Sequence, residues 1–238
     1  MGFWILALFK PFQFWWWVLF GFLSSLGGVK FISGLKFSRL RLWRLTAFLS
    51  VHFCATLIFV FIVNGRASQY FFIFISGVAL YFFLNHFYKY RHDELGQWEK
   101  MVTSSLPIFI LTAFFGLSSF FAAQVLFGVS FSFLLPGVGL MVFLISYIMQ
   151  WFWAVSSKER VLASLVFSLI MVELFILVYL FPLGNFSSGI IMLFAWILLL
   201  NMMRLLREKD RQARKLWFRF LYLSISGIIA VVITSIWS

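Results

Sequence analysis

Apolar runs of about twenty residues, separated by short polar or basic links, recur along the whole chain. As an α-helix rising about 1.5 Å per residue, a run of that length crosses about 30 Å of hydrocarbon. Polar and apolar positions do not alternate strictly inside the runs, which is not the pattern of a membrane β-barrel. The pattern predicts eight helices, at about residues 11–28, 45–63, 70–88, 106–127, 131–153, 161–181, 188–203 and 220–237. Their ends carry matching punctuation. Pro11 and Pro107 stand in first turns, where proline is tolerated. Gly27-Gly28, Asn64-Gly65 and Pro182-Leu183-Gly184-Asn185 interrupt the runs, and Ser157 is placed to cap the sixth helix. Pro136-Gly137 predicts a kink in the fifth.

Composition fits this reading. Of the 238 residues, 63% are hydrophobic and 11% charged, and the mean hydropathy is +1.03. The fold class expected is therefore all-α. The chain reads as one integral membrane domain over residues 1–238, a polytopic bundle of about eight transmembrane helices. The start, MGFWILALFK, lacks the basic region and small-residue cleavage site of a removed signal peptide, and Leu6 stands where a myristoylation signal needs Ser or Thr. One cysteine, Cys54, excludes an internal disulfide framework and a multi-cysteine metal site.

Charge adds direction. The net charge of +12 in a soluble protein would point to nucleic acid. Here seventeen of the nineteen Lys and Arg fall in the alternate links 30–44, 89–105, 156–160 and 204–219. The other side holds only Lys10 and Arg66. Basic links stay cytoplasmic, so both termini are expected outside, in a cell inner (cytoplasmic) membrane. Two links are dense enough to touch anionic headgroups or a partner. One carries Lys30, Lys36, Arg39, Arg41 and Arg44 among Phe31, Leu35, Leu40 and Trp43; the other carries Arg204, Arg207, Arg211 and Arg214. The expected partners are an anionic bilayer and other membrane subunits or further copies of the chain, with no specific nucleic acid.

Candidate chemistry is sparse. The run VLASLVFSLIMVELFILVYLF holds Glu173, the one carboxylate inside an apolar segment. An ionisable group there costs about 2.5–3.5 kcal/mol near the helix centre, so it is expected to face protein or water. His52 and Tyr81 lie at comparable depth and are the expected partners of Glu173. Two roles stay open for Glu173: a proton or cation site, and a structural hydrogen-bonding carboxyl. Small residues mark candidate close helix contacts at Ala122-Ala123, at Gly137 and Gly139, and at Gly21, Ser24, Ser25 and Gly28. His92-Asp93-Glu94 are adjacent and point in different directions on a helix, which does not build a metal site.

Known intramembrane chemistries need residues that are missing. All three histidines precede residue 93, no paired aspartates occur within the apolar runs, and no H-E-x-x-H, P-loop or dinucleotide fingerprint is present. No cofactor or metal is implied. From Glu173 the chain reads ELFILVYLFPLGNFSSG, followed by a basic link and a closing helix. Over about 70 residues this resembles uncharacterised multi-pass membrane protein families of reduced-genome bacteria, in which a Glu precedes a Leu/Phe-Pro-x-Gly helix end. The resemblance implies that Glu173, Pro182 and Gly184 belong to one unit, and it carries no activity. The sequence thus leads to a non-enzymatic structural or assembly subunit. A small transporter or proton/ion pathway centred on Glu173, and a lipid-modifying enzyme, are the alternatives.

Overall fold

The computed structural model describes residues 39–92, 98–153, 155–181 and 183–207, together with residues 23, 27, 222, 225–227 and 229. Among the described residues the helices are α1 (Arg39–Ile62), α2 (Arg66–His92), α3 (Trp98–Phe127), α4 (Phe131–Phe152), α5 (Ser157–Tyr179) and α6 (Asn185–Arg207), with no strand. Each contains a window long and apolar enough to cross a membrane. This is the architecture of a multi-pass membrane protein. The expected helices at 11–28 and 220–237, and hence the total of eight, fall outside the described residues apart from residues 23, 27, 222, 225–227 and 229.

The helices overrun the apolar windows at their polar ends. The second expected helix begins at residue 45 but α1 starts at Arg39; the fourth begins at 106 but α3 starts at Trp98. Apolar length measures the hydrocarbon, whereas backbone hydrogen bonding continues into the polar flank. Pro107 therefore lies inside α3 and not in a first turn. Its missing N–H leaves one carbonyl of the preceding turn without its helical donor.

Turn chemistry closes the helical hairpins. Gly65 adopts φ +93 between α1 and α2, a conformation that side-chain-bearing residues rarely take. Gln69, in the first turn of α2, donates its Nε2–H to the carbonyls of Val60 (3.2 Å) and Val63 (3.0 Å), which the end of α1 leaves open. Gly128 ends α3 with φ +61 and an N–H bond to the carbonyl of Gln124 at 3.0 Å, the left-handed glycine stop. At the start of α5 the cap is Ser156 rather than Ser157: its Oγ accepts from the N–H of Glu159 at 3.4 Å.

Two compact units divide the described residues. One holds those up to Gly116 together with Leu144–Arg160; the other holds Leu117–Phe143 and those from Val161 onward. In the first, Phe48 packs on Phe109 with ring centroids 4.2 Å apart and on Phe83 at 5.8 Å, and Phe152 meets both Phe83 (6.1 Å) and Phe109 (5.7 Å). Phe59, about three turns on from Phe48 along α1, stacks on Phe115 at 4.5 Å. Lipid is as apolar as this core, so close packing rather than exclusion from water holds it, with ring pairs contributing about 0.5–1.5 kcal/mol each.

The second unit joins helices through small residues. Ser168 of α5 donates to the Gly139 carbonyl of α4 at 2.8 Å. A Cβ on Gly137 would meet the ring of Phe120 at 2.7 Å, and one on Gly139 would lie 3.2 Å from Val172. Gly189 of α6 is tighter still, since its Cβ would fall 2.9 Å from Ser118 Cβ and 3.0 Å from Ser118 Cα. Phe175 fills the space beside Phe121 (4.4 Å) and Phe131 (5.9 Å).

Candidate functional site

The polar interior of the first unit is built on His52. Its position on α1 puts it and Thr56 on one face, one turn apart. Both are buried, as are Ser76 of α2 and Thr112 of α3. The imidazole Nδ1 lies 2.8 Å from Thr112 Oγ1, and Nε2 lies 2.9 Å from Ser76 Oγ. Thr56 Oγ1 donates to the His52 carbonyl at 2.8 Å and sits 3.1 Å from Ser76 Oγ.

The hydroxyl protons fix the tautomer. Thr112 donates its proton to the Ile108 carbonyl at 2.6 Å, so toward His52 it accepts, and Nδ1 carries the ring proton. In the neutral ring Nε2 then accepts from Ser76. One imidazole thus ties three helices together through hydroxyls, which satisfies polar groups that lipid or packed phenylalanine would leave bare. An apolar groove of about 320 Å³ lies between α2 and α3, lined by Phe74, Val78, Phe82 and Leu111 among others. None of the four network side chains lines it.

Tyr81, on α2, is 64% exposed. Glu173 is exposed on α5, which overturns the expectation that it faces the bundle interior. The physical reason lies in the helical register. The buried side of α5 is set by Ser164, Phe167, Met171, Phe175 and Val178, spaced by three and four residues, and Glu173 falls on the opposite side. The surrounding exposed positions are Leu162, Leu165, Val166, Leu169, Ile176, Leu177 and Leu180. Of the three intramembrane polar residues singled out in the sequence, His52 alone is buried, and its ring nitrogens engage hydroxyls. Ser76, Thr56 and Thr112 were missed; the signal available was the i,i+4 pairing of His52 with Thr56.

The basic residues divide as follows. Arg44 is half-buried, with its guanidinium carbon 5.5 Å from the Tyr147 ring centroid and 5.8 Å from that of Trp151. Arg204 is half-buried near the end of α6. Arg39, Arg41 and Arg207 belong to helices α1 and α6. Lys30, Lys36, Arg211 and Arg214 lie outside the described residues. Among the described residues no group of three His, Cys, Asp or Glu is placed to hold a metal, and Cys54 is a half-buried free thiol.

Comparison of the chain with protein-family models, with curated proteins and with solved structures found no match.

Proposed function

We propose that this chain is a non-enzymatic structural or assembly subunit of a cytoplasmic-type membrane, with eight spans and both termini outside. The observation that carries the reading is the exposure of Glu173 on a membrane-spanning helix. A carboxyl facing hydrocarbon costs several kcal/mol, and a neighbouring membrane subunit whose helix brings a hydrogen-bond donor removes that cost. The buried polar groups around His52, in contrast, are satisfied within the chain and leave no acid–base pair aimed at a substrate. A proton or ion pathway through Glu173 would place it in a polar cavity inside the bundle, and the exposed side of α5 is apolar around it.

Photocrosslinking residues at Leu169 and Ile176, one turn either side of Glu173, are expected to capture a membrane subunit in cells. Glu173→Leu should leave the melting temperature of the isolated chain unchanged or raised while lowering that capture about tenfold, the loss expected for one intramembrane hydrogen bond at the upper end of its range. Glu173→Gln, which keeps a donor and an acceptor, should retain most of it. Capture of lipid alone, or capture indifferent to Glu173→Leu, defeats the proposal. A crosslink to a second copy identifies the partner as the chain itself.

Orientation is tested separately. In a Cys54→Ser background, a cysteine at Ser68, exposed in the first turn of α2, should react with an impermeant maleimide from outside intact cells. One at Ser157, exposed at the start of α5, should react only after the membrane is opened. Labelling of both from the same side would sink the alternating topology.

A further inference from the structure

We infer that the junction of α1, α4 and α5 in the first unit binds a phosphate oxyanion, of the kind an anionic phospholipid headgroup presents. Two arginines meet there over one ring. The guanidinium carbon of Arg160 lies 4.8 Å from the Tyr147 centroid, and that of Arg44 lies 5.5 Å from the same ring. Trp151, one turn on from Tyr147, is also within 5.8 Å of Arg44. Cation–π contact accounts for the placement of each guanidinium, but a ring carries no charge to offset two.

What the cluster lacks is specific. Arg160 is only 5% exposed; its guanidinium hydrogen-bonds to the Tyr147 side chain, but its Nε–H has no acceptor among the described residues. The groups that act on the Arg160 charge are Tyr147 and Arg44, with no carboxylate among them. A buried Nε–H that no described residue accepts, beside a second guanidinium with no carboxylate against it among the described residues, suits an anion that offers several oxygens. A phosphate does this, because the planar guanidinium fork matches two of its oxygens at once. The start of α5 adds the positive end of a helix dipole, with Ser156 capping it.

Depth favours the same ligand. The apolar window of α1 opens at Trp43, that of α4 ends at Phe152, and that of α5 opens at Ser157. Arg44, Trp151 and Arg160 therefore mark three window ends at one level, where headgroup phosphates lie and where tryptophan and arginine are at home. A lipid phosphodiester and free inorganic phosphate share the oxyanion chemistry, and the experiment separates them.

The full chain, purified in mild detergent, is given phosphatidylglycerol, phosphatidylcholine or millimolar inorganic phosphate. Bound lipid is read by native mass spectrometry and stability by melting temperature. Wild type should retain one phosphatidylglycerol in preference to phosphatidylcholine and melt higher with it. Arg44→Gln and Arg160→Gln should each lower that retention about tenfold, the consequence of removing one charge-assisted partner. Arg66→Gln, an equal charge change in the first turn of α2, should not alter it. Stabilisation by inorganic phosphate as well assigns the site to the free anion; stabilisation by phosphatidylglycerol alone assigns it to the lipid. If Arg160→Gln does not fold, Arg160→Lys and Arg44→Gln carry the test. Equal effects of both lipids on wild type, with no response to phosphate, or retention unchanged in the arginine variants, overturn the inference.

Discussion

Replacing Gly189 with alanine should destabilise the protein by about 1–3 kcal/mol, the cost of an extra methyl forced into a filled contact. The sign is what makes the result diagnostic. Inside a helix free of close neighbours, Gly→Ala stabilises by about 0.8–1 kcal/mol through helix propensity. At Gly189 the added Cβ would lie 2.9 Å from Ser118 Cβ and 3.0 Å from Ser118 Cα. Cα belongs to the backbone of α3, which no rotamer change can move. Either α6 shifts away from α3 or the two helices separate. Ser118→Gly, which removes the Cβ and Oγ, should restore part of the loss, and a double-mutant cycle in detergent unfolding would give a coupling of about 0.5–3 kcal/mol. Gly184→Ala is the control, because a Cβ there meets nothing within 4 Å. A Gly189→Ala protein as stable as wild type would show that α3 and α6 do not approach this closely.

The second large effect is expected at His52. His52→Ala removes a 1% exposed side chain and its two ring hydrogen bonds to Ser76 and Thr112. Intramembrane hydrogen bonds contribute about 0.6–1.7 kcal/mol each, and the vacated volume adds a cavity cost. A total of about 3 kcal/mol follows from these ranges. Thr112→Val should cost less, about 1 kcal/mol, as it severs one link of the network and keeps the volume. Tyr81→Ala, at a position 64% exposed, should cost little. If His52→Ala unfolds at the same denaturant concentration as Tyr81→Ala, the network holds nothing together.

These expectations mark where the sequence was informative. The existence and type of the helices followed from apolar length, because hydrocarbon demands about twenty residues of any helix that crosses it. Their polar ends did not follow, since Arg39–Leu42 and Trp98–Ser104 are helical without being apolar. Facing directions were also hidden. In a water-soluble helix polarity reports the outer side, but α5 is apolar all round apart from a few positions, so the buried stripe through Phe167, Met171 and Phe175 could not be told from the exposed one. The cost of burying a carboxyl in lipid says that Glu173 needs protein or water beside it, and does not say whether that protein is this chain. His52 finds its partners among hydroxyls and not among ionisable groups. Hydroxyls such as Thr112 can hide in an apolar run by bonding their own helix, as Thr112 does to Ile108, and so they give no polar signal. Gly137 and Gly139 are legible as close contacts, whereas Gly189 sits in the polar-looking stretch NFSSG and gives no such signal.

The ring of Phe152 closes the aromatic core of the first unit against Phe83 and Phe109, although about forty residues of chain separate it from the nearer of the two in sequence. The ribosome delivers α1, α2 and α3 to the membrane first, and the slot for Phe152 then waits while the hairpin at Gly128 and the whole of α4 are made. Phe83 and Phe109 thus precede their partner in synthesis, and this face of the core can close only once α4 has been made.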